Sequence, residues 1–165
     1  MTGRRRRSYE SGHRPKFLVI VDETAECDRA LYFASRRAVR TNSSLILLAV
    51  ADPAGFHEWL GVGDIIQQEA EDACLARLEE AADRSRNIAG IQPQLIVRTG
   101  ARAEQIAQLI EEDEDISFLV LAASSEADGP GPLVTTLVAG SSASFLVPIV
   151  IVPGAMTDDE IDALA

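Results

Sequence analysis

The amino-acid sequence predicts an α/β fold, a single open five-stranded parallel sheet with helices on both faces. Two observations carry this prediction. Five short apolar runs rich in Val, Ile and Leu are typical of strands covered on both faces, and they lie at residues 17–22, 45–50, 94–100, 118–122 and 149–152. Segments with apolar residues at helical spacing separate most of these runs, and strands that alternate with helices indicate a parallel sheet.

The first half of the chain begins with a strand and a helix. FLVIVD (17–22) predicts the first strand, and apolar residues then recur three or four positions apart over 27–38, as on one face of a helix. LILLAV (45–50) predicts the second strand. We expect residues 51–63 to form a long loop before the next helix.

The second half continues the alternation. A long helix with an apolar face over 66–81 precedes the third strand, QLIVRTG (94–100). A shorter helix over 103–110 leads into the acidic run EEDED (111–115), which we expect in a solvated turn. FLVLA (118–122) predicts the fourth strand.

The fifth strand, IVIV (149–152), lies between Pro148 and Pro153. Because proline donates no backbone hydrogen bond, these flanks favour an edge of the sheet. An apolar, uncharged edge invites pairing with a second copy. We therefore predict a homodimer through residues 148–153, with a tail segment folded over the edge as the alternative. Residues 154–165 are expected to form an acidic tail or a short helix.

Charge divides the chain into a basic tail and an acidic domain. Residues 1–16 hold six of the 15 basic residues and one of the 26 acids, a net charge of +5 that leaves −16 for the remainder. We expect residues 1–15 to be a disordered, solubilising tail, with contact to RNA, anionic lipid or an acidic partner as the alternative. Residues 16–153 then form one domain, whose acidity makes it a poor platform for nucleic acid.

Composition excludes several classes of protein. Lys16 is the only lysine, so neither a Walker-type phosphate-loop lysine nor a lysine Schiff base exists in the domain. Cys27 and Cys74 lie far apart and belong to no Cys/His ligand set, which indicates buried thiols in a reducing cytoplasm rather than a zinc site. No apolar run has the length of a membrane span or a secretory signal, so we expect a cytoplasmic protein without membrane contact.

Candidate binding residues follow the first strand. Ligands of open parallel sheets bind beyond the carboxyl ends of the strands, where the strand order reverses. VDETAECD (21–28) places Asp22 at such an end, with Glu26 and Asp28 in the first turn of the next helix. Either Asp22 accepts hydrogen bonds from ribose hydroxyls or an adenine amine, or these acids complement the positive helix N-terminus. We favour the second interpretation for Glu26 and Asp28 and leave both open for Asp22.

The segment DGPGPLVTTLVAGSS (128–142), after the fourth strand, is ambiguous. Its glycines and the nearby serines favour a backbone loop that holds phosphates. Pro130 and Pro132 oppose this interpretation because neither has an N–H group to donate, and Asp128 adds a like charge. Pro132 is better suited to the first position of a helix.

The segments FLVIVDETAECDRALYFASRRAVRTNSSLILLAV and FLVLAASSEADGPGPLVTTLVAGSSASFLVPIVIVP together resemble the universal stress protein family, over residues 16–153. The resemblance implies a Rossmann-like sheet ordered 3-2-1-4-5, with strands one and four side by side. Members that bind ATP carry the motif G-x-x-G-x9-G-[ST] after strand four. Gly140 and Ser141 match the end of that motif, and Asp22 and the tip of strand two at Val50 also carry over.

The match to the ATP motif is incomplete. Counted back from Gly140, the two upstream glycines of the motif fall at Ala127 and Pro130. Counted forward from the end of strand four, they fall at Ala122 and Ser125, and 14 residues rather than nine then precede Gly140. The residues and the resemblance together predict a site for ATP or AMP at the tips of strands one and four. We expect these residues to form it: Val21, Asp22, Thr24, Val50, Ala122, Ser124, Ser125, Gly129, Gly131, Gly140, Ser141 and Ser142.

The expected function is that of a universal stress protein-like binding protein, regulatory or protective, rather than an enzyme. His13 lies in the tail and His57 in a loop without an evident nucleophile, and the pattern G-x-S-x-G is absent. Weak ATPase activity is suggested by fold kinship alone. The alternative is a nucleotide-independent dimeric interaction module, in which loop 55–64, with the only tryptophan, contacts a protein partner or folds onto its own sheet.

Overall fold

The predicted five-stranded parallel sheet is confirmed, with strand order β3-β2-β1-β4-β5. The structure is a computed structural model that describes residues 5–52, 63–126, 129–140 and 146–165. The strands within these ranges are β1 (Lys16–Ile20), β2 (Ser44–Ala51), β3 (Gln94–Thr99), β4 (Ile116–Ala123) and β5 (Ile149–Pro153). β5 occupies an edge of the sheet, as its flanking prolines predict.

Helices cover both faces of the sheet. They are α1 (Cys27–Arg40), α2 (Gly63–Ala89), α3 (Arg102–Glu112), α4 (Pro132–Gly140) and α5 (Asp158–Leu164). The short helix α5 begins with a reciprocal cap, in which the Thr157 hydroxyl accepts from the Glu160 N–H and the Glu160 carboxylate accepts from the Thr157 N–H. No helix among these is long and apolar enough to cross a membrane.

The core consists of two apolar layers, one on each face of the sheet. Phe17 and Val19 of β1 point to the face covered by α1, α2 and α5, and Phe17 stacks on Phe118 with 4.0 Å between ring centroids. Leu18 and Ile20 point to the other face, where they meet α3 and α4. Alternate residues of a strand face opposite sides, so strands covered on both faces are apolar at every position, which explains the unbroken apolar runs of the sequence.

The amino-terminal segment, residues 5–15, differs from the expected disordered tail because it lies against the acidic turn, residues 111–115. Arg6 Nη1 donates to the carbonyl oxygens of Ile110 (2.6 Å) and Asp113 (3.0 Å). The buried Ser8 hydroxyl donates to the Asp115 carbonyl at 2.9 Å. The two segments precede β1 and β4, which are neighbours in the sheet, so their opposite charges meet at the amino ends of these strands.

Candidate functional site

Asp22 lies just beyond the carboxyl end of β1, where the strand order reverses between β1 and β4. Its Oδ1 accepts hydrogen bonds from the Thr24 backbone N–H (2.9 Å) and from the Thr24 hydroxyl (2.5 Å). These bonds fold the chain into a tight turn and orient the half-buried carboxylate. The turn leads to α1, whose N-cap, Glu26, makes no capping bond with its own side chain.

Asp28 has a structural role in the first turn of α1. It accepts from Arg84 Nε at 3.0 Å and from Arg29 Nη2 at 2.6 Å, and both guanidinium groups also lie over the Tyr32 ring. Desolvation acts to raise the pKa of Asp28, but the hydrogen bonds from Arg84 and Arg29 outweigh it and leave the pKa below its ordinary value. The carboxylate therefore joins α1 to α2 in its ionised form.

The segment after β4 is a turn that starts a helix. The Ser124 N–H donates to the Pro130 carbonyl at 3.0 Å, which closes the turn back onto the end of β4. Gly129 and Gly131 have positive φ angles of 98° and 104°, which side chains disfavour, so the turn itself requires these two glycines. α4 then begins at Pro132, the helix position at which a missing N–H costs nothing.

Three adjacent cavities surround this turn at the carboxyl end of the sheet. The strand-tip cavity has a volume of about 100 Å³ and lies between Asp22, Cys27, Ala122 and Leu133. The outer cavity, about 620 Å³, lies between Glu26, Ser124 and Thr135. The α3 cavity, about 360 Å³, lies between Asp52, Ala101 and Thr136. Pro132 lines all three, so the turn divides a larger crevice into separate compartments.

Half of the expected site residues line these cavities. Asp22, Thr24, Ala122 and Gly131 meet at the strand-tip cavity, and Ser124, Gly129 and Gly131 at the outer cavity. Val21 and Val50 are instead buried in the core at 6% and 5% exposure, and Ser125 is exposed without lining a described cavity.

The remaining expected residues are Gly140, Ser141 and Ser142. Gly140 is the last residue of α4, whereas Ser141 and Ser142 lie outside the described residues. The same holds for residues 53–62, which include most of the proposed partner loop 55–64 and His57.

Sequence reasoning missed one basic residue of the site, Arg102. It is the first residue of α3 and lines both the strand-tip and the α3 cavity. The available signal was its place in RTGAR (98–102), directly after the third strand. All carboxyl ends of a parallel sheet face the same edge, so residues that follow any strand are candidates for the site.

Cys27 lines the strand-tip cavity, but its thiol is unreactive. Burial raises the pKa of its thiol to about 11, and Sγ lies 3.5 Å from the Ile20 carbonyl oxygen. A neutral thiol is neither a nucleophile nor a metal ligand at physiological pH. Across the ranges that the structure describes, no group of three or more His, Cys, Asp or Glu residues is placed to hold a metal ion.

A doubly wound parallel sheet with a crevice at its switch point defines a Rossmann-like α/β protein with a ligand-binding architecture. The family model for the universal stress protein family matches residues 13–147. The chain belongs to the universal stress protein family. A comparison with curated protein sequences gives no match.

Solved structures of the family share this fold. The universal stress protein UspA from Lactobacillus plantarum is 18% identical, with a TM-score of 0.67 over 84% of this chain and 97% of that one. A universal stress protein in complex with cAMP is 19% identical, with a TM-score of 0.58 over 86% and 98%. A family member from Arabidopsis thaliana with AMP bound is 19% identical, with a TM-score of 0.57 over 84% and 91%.

Proposed function

We propose that this chain is a nucleotide-binding universal stress protein whose ligand is an adenine nucleotide held between the tips of β1 and β4. The observation that carries the proposal is the strand-tip cavity, where Asp22 and Thr24 of β1's tip face Ala122 and Gly131 across the switch point. A carboxylate at this place suits the ribose hydroxyls, which are hydrogen-bond donors. Two related structures hold cAMP and AMP, which supports the choice of an adenine nucleotide.

The strand-tip cavity is too small to enclose a whole nucleotide by itself. Ligand pockets usually enclose at least ~300 Å³, whereas the strand-tip cavity encloses about 100 Å³. The nucleotide therefore extends into an adjacent compartment, or the turn around Pro132 shifts to admit it. Selective binding of a ligand, coupled to such a shift, suits a regulatory or protective role in the stress response rather than turnover.

The free thiols of Cys27 and Cys74 fit the reducing cytoplasm.

Thermal unfolding with and without nucleotide tests this proposal. Ligand at about 100 times its Kd stabilises the native state by about 2.7 kcal/mol, so AMP, ADP, ATP or cAMP is expected to raise the Tm by roughly 5–10 °C. Asp22→Asn keeps a carbonyl for Thr24 but loses the charge, and should weaken the shift, whereas Asp159→Asn, in the exposed first turn of α5, should not.

Two outcomes would contradict the proposal. No Tm shift with any of the four nucleotides at millimolar concentration would leave the nucleotide-independent interaction module as the better interpretation. Steady release of phosphate from ATP, abolished by Asp22→Asn, would instead favour a weak ATPase.

We further propose that the protein is a homodimer through β5. This strand pairs with β4 on one side, its Ile151 is 38% exposed, and Leu146, three residues before the strand, is 42% exposed. An apolar sheet edge of this kind favours pairing with a second copy. Light scattering should give a mass twice that of the 17.7 kDa chain. Ile151→Lys should reduce the measured mass to that of a monomer. Leu75→Lys, on the exposed surface of α2, is the control and should leave the dimer mass unchanged. A monomer mass for the unchanged protein would contradict the dimer.

A further inference from the structure

The position of Arg102 singles it out among the arginines of the described chain. It follows β3 directly, begins α3, and lines both the strand-tip cavity and the α3 cavity. It is therefore the residue that, together with Pro132 and Leu133, forms the boundary between these two compartments. A ligand that extends from Asp22 into the larger α3 cavity passes along Arg102.

The side chain of Arg102 is also half-buried and has no partner among the residues that the structure describes. No hydrogen bond or ion pair joins its guanidinium group to these residues, whereas Arg84 pairs with Asp28 and Arg98, four residues earlier, pairs with Glu112. A guanidinium group that loses part of its hydration gains stability when it pairs with an anion. In the wall of a cavity, that anion is supplied by a ligand.

The turn after β4 offers a phosphate fewer backbone donors than a glycine-rich loop would. Pro130 and Pro132 have no N–H groups, and the Ser124 N–H is already bonded to the Pro130 carbonyl at 3.0 Å. In the part of the crevice that the structure describes, positive charge therefore comes from Arg102. Its planar fork of N–H groups matches two oxygens of one phosphate.

The surrounding carboxylates limit how much phosphate the crevice accepts. Asp22, Glu23 and Glu26 line the strand-tip cavity with Arg102, and Asp52 lines the α3 cavity with it. One guanidinium group neutralises about one phosphate, and further phosphates would meet like charge. The crevice is thus better suited to a monophosphate than to a triphosphate.

We propose that Arg102 is the phosphate-binding residue of the site and that it makes the site selective for a nucleoside monophosphate over ATP. The sugar lies towards Asp22 and the phosphate towards Arg102, at the boundary of the α3 cavity. This inference rests on the proposed nucleotide-binding function and adds to it the residue and the phosphate number.

Isothermal titration with AMP, ATP, adenosine and inorganic phosphate tests the assignment. The unchanged protein should bind AMP about tenfold or more tightly than adenosine, ATP or inorganic phosphate. Arg102→Gln should weaken AMP binding about 10- to 100-fold, the usual range for loss of a charged hydrogen-bonded pair, and leave adenosine binding unchanged. Arg102→Lys keeps the positive charge but loses the planar pair of N–H donors. Its affinity for AMP should lie between that of the unchanged protein and that of Arg102→Gln.

Arg37→Gln is the matched control, because Arg37 is half-buried near the carboxyl end of α1, and that end lies at the opposite end of the sheet. It should bind AMP as the unchanged protein does. If Arg102→Gln keeps full AMP affinity, or ATP binds as tightly as AMP, the assignment is overturned while nucleotide binding stands. If inorganic phosphate binds as tightly as AMP, the site is one for a free anion and the assignment is overturned. If the unchanged protein binds no nucleotide, the proposed function itself fails, and this inference with it.

Discussion

The two ends of the sheet differ in how their basic side chains are paired. At the amino ends of β1 and β4, the basic side chains of the amino-terminal segment pair with the acidic turn. At the carboxyl ends, Arg102 lines a cavity with several carboxylates and pairs with none of the residues that the structure describes. The difference teaches which charges hold the fold together and which are left for a ligand.

At the amino ends, three basic residues each contact a different acidic side chain. Lys16 Nζ lies 2.8 Å from Asp113 Oδ2, Arg7 Nη1 lies 3.3 Å from Glu114 Oε1, and His13 Nδ1 lies 2.6 Å from Asp115 Oδ1. Arg6 adds its bonds to two backbone carbonyls at the end of α3, where the helix dipole is negative. The cluster of arginines that suggested nucleic acid or lipid thus includes residues with intramolecular partners.

At the carboxyl ends, a backbone contact holds the last two strands of the sheet together. The Gly154 N–H, just after β5, donates to the Ala123 carbonyl at 2.8 Å. A Cβ at position 154 would lie 2.7 Å from that carbonyl oxygen and 3.1 Å from the Glu26 Cβ. This close approach holds β5 to β4 beneath the crevice without the use of a charged side chain.

The largest effect on stability is expected from Gly154→Ala. The new methyl group meets a backbone oxygen that cannot rotate away, so the free energy of unfolding should fall by about 2–3 kcal/mol, as for other overpacked sites. Urea unfolding measures the change. Gly63→Ala is the control, because a Cβ there meets nothing within 4 Å. If both variants unfold at the same urea concentration, the carboxyl end is not held by this contact.

A smaller effect is expected from Arg6→Gln at the amino end. Loss of its hydrogen bonds to the Ile110 and Asp113 carbonyls should lower the free energy of unfolding by about 1–2 kcal/mol. The same urea experiment measures it, with high salt as a second variable, because screening weakens partly exposed charge pairs. Unchanged stability at low salt would show that the bonds of Arg6 contribute nothing to the stability of the fold.

The smallest effect is expected from Arg102→Gln without ligand. Since Arg102 has no partner among the described residues, its loss should change the free energy of unfolding by less than about 0.5 kcal/mol. The pair Arg6→Gln and Arg102→Gln thus removes one charge from each end and separates a structural arginine from a ligand-binding one. A destabilisation by Arg102→Gln as large as that by Arg6→Gln would break the comparison between the two ends.

Much of the fold was predictable because its signals are local. The apolar run at 118–122 lies within β4 at Ile116–Ala123, and the run at 149–152 lies within β5 at Ile149–Pro153. Because each strand is covered on both faces, its consecutive residues are apolar and can be recognised in the sequence. Strand order came from family resemblance rather than from these runs, because a parallel sheet pairs strands that are distant in sequence.

The site was predictable in part. Asp22 follows the first strand directly and lines the strand-tip cavity, so its place could be inferred from the strand end alone. Arg102 escaped because its importance depends on the absence of a partner, which no spacing records. Gly129 and Gly131 suggested a phosphate loop, whereas their positive φ angles belong to the turn that precedes Pro132.

The sequence by itself determined the alternation of strands and helices, the edge character of β5 and the family, because apolar periodicity and proline act on neighbouring residues. Only the tertiary structure decided which charges neutralise one another. Lys16 and Asp113 are 97 positions apart, and the parallel pairing of β1 with β4 brings their charges together. The same pairing places the carboxyl ends side by side, where Arg102 lines the crevice and has no side-chain partner among the described residues.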